Sequence, residues 1–451
     1  MKPPFMQACW KTLGLTGLGM LCAATGIPAA PGDTAAKPGW SLARCVEEGL
    51  RRSPRLAETA ARRDGAEAAA AAARAGRWPT FGMRGNYAYV SETMSLRLGE
   101  MVASGLPEIQ LGQNHSYDLQ LAAEAPLFTG GALTGEIRSR EAARWATDHE
   151  LRADSLAVLH DIRQAYFGAL GSAAREQAAQ VAEERLRRHI GELEAAIEIG
   201  AATGEARIQA LARLLQAEQR RIVARGDART ARLILGRWVG QSGVEIDPAG
   251  DLSASLLPPG TTPQAMAADV TLRPELAMLS ARADQTRAQA AGARAAYFPS
   301  LVAQAALHEG RPGVDPIADE WTTYATAGLV LRWSLWEWGE RDQRVESARA
   351  HVRAIEHQRA EVLDELAQAL AVARVQWEAA VDQEAKATER LTLEQQRLHL
   401  VAGRYREGAA TESERLDAED DLAAAEIQLA EVRARVRLAE VEILRFAPVV
   451  R

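Results

Sequence analysis

The sequence has few cysteines. Only three occur in 451 residues, and two of them lie in the first 30 positions. Cys45 is the one thiol beyond that stretch, and a lone thiol can neither form a disulfide within the chain nor build a metal site. We therefore expect packing alone to stabilise the fold, with no structural metal and no cofactor.

Long apolar runs are also missing beyond the N-terminus. A membrane-spanning helix needs roughly 20 apolar residues, so any membrane-spanning part of the mature chain must be β. The N-terminus has lysines, an apolar run from Leu13 to Ile27 and then small residues and prolines, which predicts a signal peptide over residues 1–30. A lipoprotein anchored at Cys22 is the alternative, although Leu21 stands where a lipobox needs a small side chain.

Neither excess positive charge nor catalytic motifs are present. The net charge of -7 argues against a nucleic-acid partner, because phosphate binding needs a basic face. The sequence contains no Gly-x-Gly-x-x-Gly, Walker, His-Glu-x-x-His or Gly-x-Ser-x-Gly motif. Among the scattered histidines, His351 and His357 are spaced so that they fall on different helix faces. The sequence thus predicts no enzyme.

The sequence does contain an internal duplication. The same four residues occur twice, 208 positions apart, as Gly200-Ala201-Ala202-Thr203 and as Gly408-Ala409-Ala410-Thr411. Gly131 recurs as Gly339 at the same offset, and Pro54 recurs as Pro274 slightly farther on. This period is too long for a solenoid repeat and indicates two similar halves.

Each half is predicted to contain one very long helical hairpin. Apolar residues fall three or four positions apart from each repeated glycine to its Gly-Ala-Ala-Thr turn, without a proline. A helix of that length extends roughly 100 Å, which a globular core does not require. The predicted hairpins, 131–238 and 339–446, are rich in Ala and charged residues, as is typical of helices packed side by side.

Four segments alternate polar and apolar residues and are predicted as strands. They are residues 80–90, 117–127, 300–308 and 323–335. Each has about the length that a tilted strand needs to cross a bilayer. Four strands cannot close a barrel and a bilayer tolerates no open edge, so we expect pairing with other copies of the chain, twelve strands in a trimer. Two soluble hairpins, each with one face exposed to water, are the alternative.

Three tryptophans accompany the last of these segments. Trp333 fits a lipid-facing position, and Trp336 and Trp338 fit an aromatic girdle at the membrane interface.

This combination resembles the TolC-type outer-membrane efflux protein family over about 41–447. The local motifs are Pro126-Leu127-Phe128-Thr129-Gly130-Gly131 and Tyr405-Arg406-Glu407-Gly408-Ala409-Ala410-Thr411. The resemblance implies a mainly α fold with membrane β: a homotrimer whose twelve-stranded barrel continues into a helical periplasmic tunnel. The implied parts are the signal peptide 1–30, a first repeat 40–240, a linker 241–263 and a second repeat 264–447.

The resemblance also implies the site residues at the hairpin tips. In the family, two acidic residues after the second turn narrow the pore, and Glu414 and Asp417 occupy those positions. Six carboxylates around one axis would favour cations. On a helix this charged, ordinary solvated surface is the alternative.

The family closes its tips with a tyrosine and an arginine that bind an acid on the other hairpin. Tyr405 matches the tyrosine, but Ala410 and Ala206 stand at the other two positions, so that lock is not intact. Glu205 and Arg207 are near enough in sequence to replace it.

These features predict a passive exit duct in the outer membrane. The expected partners are outer-membrane lipid, a periplasmic adaptor that docks on the tips, residues 200–203 and 408–411, and an inner-membrane pump. The alternative is a periplasmic adaptor or coiled-coil scaffold without a pore. An adaptor typically has one hairpin, whereas this sequence has two. The exported substrate is not evident from the sequence.

Overall fold

The computed structural model describes residues 39–96, 109–111, 113–257, 270–315 and 318–446. The predicted signal peptide, with Cys22, lies outside the described residues, as does the end of the predicted linker. No helix in these ranges combines the length and the apolar character needed to span a membrane.

Seven α-helices and six strands make up this part of the chain. The helices are α1 (Leu42–Arg52), α2 (Pro54–Ala75), α3 (Ala132–Glu198), α4 (Gly204–Trp238), α5 (Pro274–Ala293), α6 (Glu340–Arg406) and α7 (Glu412–Phe446). The strands are β1 (Thr80–Tyr89), β2 (Met94–Leu96), β3 (Ile109–Leu111), β4 (His115–Phe128), β5 (Ser300–Arg311) and β6 (Thr322–Arg332).

The repeated prolines and glycines mark equivalent helix starts. Pro54 and Pro274 open α2 and α5 at the first helical position, where a missing N–H costs nothing. Gly131 and Gly339 precede α3 and α6 with φ of 98° and 83°, a left-handed conformation that glycine adopts without steric cost. Both long helices contain 67 residues. The two glycines therefore recur because each stands at the start of an equivalent long helix.

The main sheet is antiparallel with strand order β1-β4-β5-β6. Among the described strands, β1 and β6 are therefore its two edges. The sequence predicted only a loop between the first two long strands, whereas the structure has the short hairpin β2-β3 there. β6 ends at Arg332, earlier than the alternating pattern indicated.

The helices pack side by side in a row that begins and ends with the same parts of the chain as the sheet. Near its start α3 packs against α2 and α5, and near its end against α4 and α7, while α6 packs against α5 and α7. One side of the chain therefore ends in β1, α2 and α4, which we term the first flank. The other side ends in β6 and α6, which we term the second flank. The helical hairpins α3–α4 and α6–α7 are the first and second hairpins.

A buried apolar cluster holds the middle of this layer. Ile162, Tyr166 and Leu170 of α3 pack there with Leu235 of α4 and with residues that follow α4, including Ile246. The Tyr166 hydroxyl donates to the backbone carbonyl of Ala249. The start of the linker thus anchors the middle of α3.

Candidate functional site

The main sheet has one apolar and one polar face. Met83, Leu121 and Leu307 lie side by side across three strands, and all three side chains are exposed. The next row, on the opposite face, consists of Arg84, Gln120, His308 and Tyr324. An exposed apolar face behind a polar one is the pattern of a strand wall between lipid and a wet lumen.

Aromatic side chains border both ends of this sheet. At the helix end, exposed aromatic residues are Trp78, Phe128, Phe298, Trp333, Trp336 and Trp338. At the loop end, Tyr117 contacts Tyr87 and Trp321 with ring centroids 5.1 and 5.9 Å apart. Trp333 follows β6, and its Nε1–H donates to the Tyr297 carbonyl at 3.3 Å. Two aromatic belts around an apolar band are typical of membrane strands.

The two hairpin tips reverse the chain in the same way. Gly200 and Gly408 have φ of 76° and 72°. The amide of Ala201 donates to the Ala196 carbonyl, and that of Ala409 donates to the Arg404 carbonyl, both at 2.8 Å. These are Schellman closures with glycine in the left-handed position. The repeated glycines are therefore required by the backbone of both turns.

The tips differ in how their second helices begin. The Thr203 hydroxyl accepts from the Ala206 amide at 3.3 Å. Thr411 accepts from the Glu414 amide at 3.2 Å, and the Glu414 carboxylate accepts from the Thr411 amide at 2.7 Å, which is a reciprocal capping box. The bonds from the backbone and the hydroxyl of Thr411 lower the pKa of Glu414.

Both acids expected at the constriction are exposed, but each has a partner within the chain. Glu414 caps α7, as described above. Asp417 binds Arg213 of the first hairpin at 2.8 Å. Arg213 also binds Asp420 at 2.6 Å. Asp417 therefore helps to join the two hairpins.

The two residues suggested as a substitute lock bind within the first hairpin. Arg207 pairs with Glu194 at 2.9 Å, and Glu205 accepts from Gln209 at 3.4 Å. Within the described part of one chain, the structure does not bring either residue to the second hairpin. Ala206 lies at the edge of an apolar cluster instead.

Sequence reasoning missed a buried pair that also joins the hairpins at this level. Nε2 of His189, on α3, lies 2.6 Å from Glu412 at the start of α7, and both side chains are almost fully buried. The ring of Tyr405 stands edge-on to His189, with centroids 6.2 Å apart. Burial and the neighbouring Glu412 carboxylate raise the pKa of Tyr405 to about 12. The pair links residues 223 positions apart, so no local pattern predicts it.

A leucine provides the apolar part of the same contact. Leu416 of α7 is 2% exposed and packs in a cluster with Leu186, Ile190 and Leu193 of α3 and with Ala210 of α4. We term the contact between α3 and α7 the seam. Near the tips, the buried contact between His189 and Glu412, several ion pairs and this leucine therefore connect the two hairpins.

Within the described ranges, no group of three or more His, Cys, Asp or Glu side chains is placed to bind a metal ion. The candidate site therefore consists of the two hairpin turns, the charged side chains beside them and the seam.

Solved outer-membrane channels have the same fold. The channel CmeC of Campylobacter jejuni aligns with a TM-score of 0.75 at 16% identity, over 90% of this chain and 85% of that one. The outer membrane protein VceC of Vibrio cholerae aligns with a TM-score of 0.72 at 20% identity, over 90% and 95%. The open-state channel MtrE of Neisseria gonorrhoeae aligns with a TM-score of 0.72 at 19% identity, over 90% and 89%. The mainly α fold with four long strands is thus confirmed.

The family is settled by sequence. No curated protein sequence matches the chain significantly. The family model described as outer membrane efflux protein matches residues 45–241 and 271–447. These two segments cover most of the chain and correspond to its two repeats. The chain therefore belongs to the outer membrane efflux protein family.

Proposed function

We propose that three copies of this outer-membrane efflux channel join side by side around one pore, first flank to second flank. The resulting duct would be the passive exit of an export system, with a periplasmic adaptor and an inner-membrane pump. The observation that carries the proposal is that the sheet edge and the helix edge are free on the same flank of the chain.

The sheet edges require a partner in a membrane. β1 and β6 are unpaired at the outer sides of the described sheet, and lipid offers their backbone N–H and C=O groups no hydrogen bonds. Pairing β1 of one chain with β6 of the next satisfies both edges. Because the two flanks differ, this contact is head-to-tail and produces a ring if it closes. Three chains would give twelve strands.

The helix edges match level by level. Ile208 and Leu215 of α4 lie eight and fifteen residues after Gly200, whereas Leu400 and Leu393 of α6 lie eight and fifteen residues before Gly408. All four side chains are well exposed. Equal distances from equivalent tips place Ile208 level with Leu400 and Leu215 level with Leu393 when flanks meet. Two apolar stripes in register are what a coiled-coil contact between neighbouring chains needs.

The tips carry the proposed gate and docking site. Glu414 and Asp417 are exposed at the end of the second hairpin, and three copies of each would make an acidic ring that favours cations. The turn residues Ala201 and Ala409 are exposed and small, which allows an adaptor's helices to approach the backbone. Ala202 and Ala410, each partly buried, complete the same surfaces.

Purification in detergent tests the assembly and the pore together. We expect native mass spectrometry to show a trimer and planar bilayers to show ion conductance. Replacing both Glu414 and Asp417 with alanine should lower cation selectivity without loss of the trimer. Unchanged selectivity would show that both residues are ordinary solvent-exposed surface. A monomer without conductance would contradict the proposal and favour the pore-free scaffold.

A further inference from the structure

The seam near the tips contains a cluster of buried charges that do not balance. Its members, which we term the seam cluster, are Arg185 and His189 on α3 and Glu412, Arg415, Glu419 and Glu426 on α7. Each side chain is less than one-fifth exposed. The cluster thus contains three carboxylates and two guanidinium groups. With His189 neutral, one negative charge is in excess.

The contacts show where the excess charge lies. Arg185 binds Glu426 through two hydrogen bonds of 2.8 Å, so the charges of these two residues compensate each other. Glu412 contacts His189 at 2.6 Å. Among the described residues, Glu419 has no ion pair shorter than the one with Arg415, whose Nε lies 3.9 Å from its Oε1.

Several buried polar atoms around this point lack a hydrogen-bond partner in the described structure. They are His189 Nδ1, Glu412 Oε2, Glu419 Oε2 and Arg415 Nε. A buried carboxylate without full compensation is costly, and one bound proton removes the cost. Burial raises the pKa of Glu419, although His189, Arg415 and Arg185 lower it in part.

The neighbouring elements do not supply the missing positive charge. From α6, Tyr405 faces His189 with an uncharged ring. From α3, Glu192 binds Arg415 at 3.1 Å and adds a further, exposed negative charge. From α4, the guanidinium of Arg213 is shared between Asp417 and Asp420. Arg220 of α4 lines the same cavity as Glu419, but it binds Asp420 at 3.3 Å.

We infer that the seam described above is the closed form of the tip and that closing it takes up one proton, held by the Glu419 carboxylate, so that acid closes the channel tip and alkali opens it. The inference rests on the proposed channel for its readout. When α7 leaves α3, water reaches the cluster and screens the excess charge, so the open form binds the proton less tightly. The closed form therefore gains stability as the pH falls. For one proton, the closed-to-open ratio changes by at most about tenfold per pH unit.

Planar-bilayer recordings between about pH 8 and about pH 5, a range in which a carboxyl group with a raised pKa can titrate, test the inference. We expect the open fraction of the wild type to fall reversibly with pH. Glu419→Gln removes the excess charge, so the variant channel should stay mostly closed. Its closed-to-open ratio should change less than about twofold per pH unit. Glu419→Asp keeps the charge and should keep the response.

His160→Gln is the matched control, because His160 contacts Glu442 at 3.2 Å across the same two helices but away from the tips. It should titrate like the wild type. A Glu419→Gln channel that titrates like the wild type, or a wild type that opens in acid, overturns the inference. Protonation of the exposed Glu414 and Asp417 would change the reversal potential, whereas the seam cluster changes the open fraction at constant selectivity.

A distance measurement separates failure of this inference from failure of the proposed channel. Spin labels at Ile199→Cys and Glu407→Cys report the separation of the two tips by double electron–electron resonance. Cys45 is buried, which raises the pKa of its thiol to about 11 and keeps it unlabelled. If the distance shifts with pH in the wild type but not with Glu419→Gln, the inference holds even for a chain without conductance. A distance that is constant across the pH range refutes it.

Discussion

Shortening Leu416 to alanine should open the channel tip. Leu416 is the apolar residue that α7 inserts between α3 and α4 of the first hairpin. Its side chain is 2% exposed, and two of its neighbours, Ala210 and Ala217, are too small to fill the space that Leu416→Ala leaves. The substitution weakens the closed form selectively, because opening the seam withdraws Leu416 from this cluster.

The expected magnitude follows from the burial. Replacing a buried leucine with alanine costs about 2 to 5 kcal/mol, more where the cavity cannot collapse. A value of about 3 kcal/mol for Leu416→Ala corresponds to about a hundredfold decrease in the closed-to-open ratio.

Leu429→Ala provides the matched control. Leu429 also lies on α7 and is 6% exposed, but it packs with Ala387 and Val432 inside the second hairpin. Both variants should lose similar stability in denaturant. Only Leu416→Ala should raise single-channel open probability and admit large antibiotics into cells that lack the pump. Equal leak in the two variants would refute a closing role for Leu416.

Three further predictions concern the second tip. Hydrogen bonds lower the pKa of Glu414, so its stabilisation of the second tip is present above the pKa of a free glutamate and is lost only as the pH falls through the lowered value. Reversal potentials below about pH 4.3 should therefore be more cation-selective in the wild type than in Glu414→Gln. Gly408→Ala should cost about 1 kcal/mol in denaturant unfolding, since φ is 72°, whereas Gly403→Ala inside α6 should not destabilise the chain. Ala409→Trp should abolish export at a normal trimer level, and parallel loss of trimer would point to folding instead of docking.

The repeated elements of this fold could be predicted from the sequence because each follows from local chemistry. A glycine occurs at both hairpin turns, as Gly200 and Gly408, because a chain that ends one helix and reverses needs a residue in the left-handed conformation. The long helices and the four main strands follow from periods of 3.6 and 2. The hairpin β2-β3 was missed because three-residue strands are too short to establish a period.

The seam could not be predicted, because its contacts depend on how two hairpins pack. His189 and Glu412 look like ordinary members of charged helices until α7 lies against α3. The same holds for Arg213, which binds Asp417, whereas the sequence indicates Glu205 and Arg207 as a replacement lock. Those two are adjacent to the tip in sequence but face the first hairpin itself.

Cysteine cross-linking of Leu215→Cys with Leu393→Cys tests directly whether three chains meet first flank to second flank. If the first flank of one chain meets the second flank of the next, these two levels coincide and oxidation should link chains covalently. We expect a ladder on a denaturing gel that ends at three chains and collapses on reduction. Moving one partner by one residue, about 100° around the helix, with Leu215→Cys and Thr392→Cys, should weaken the links. A chain that stays monomeric, or a ladder that ends at another number, would contradict the trimeric channel.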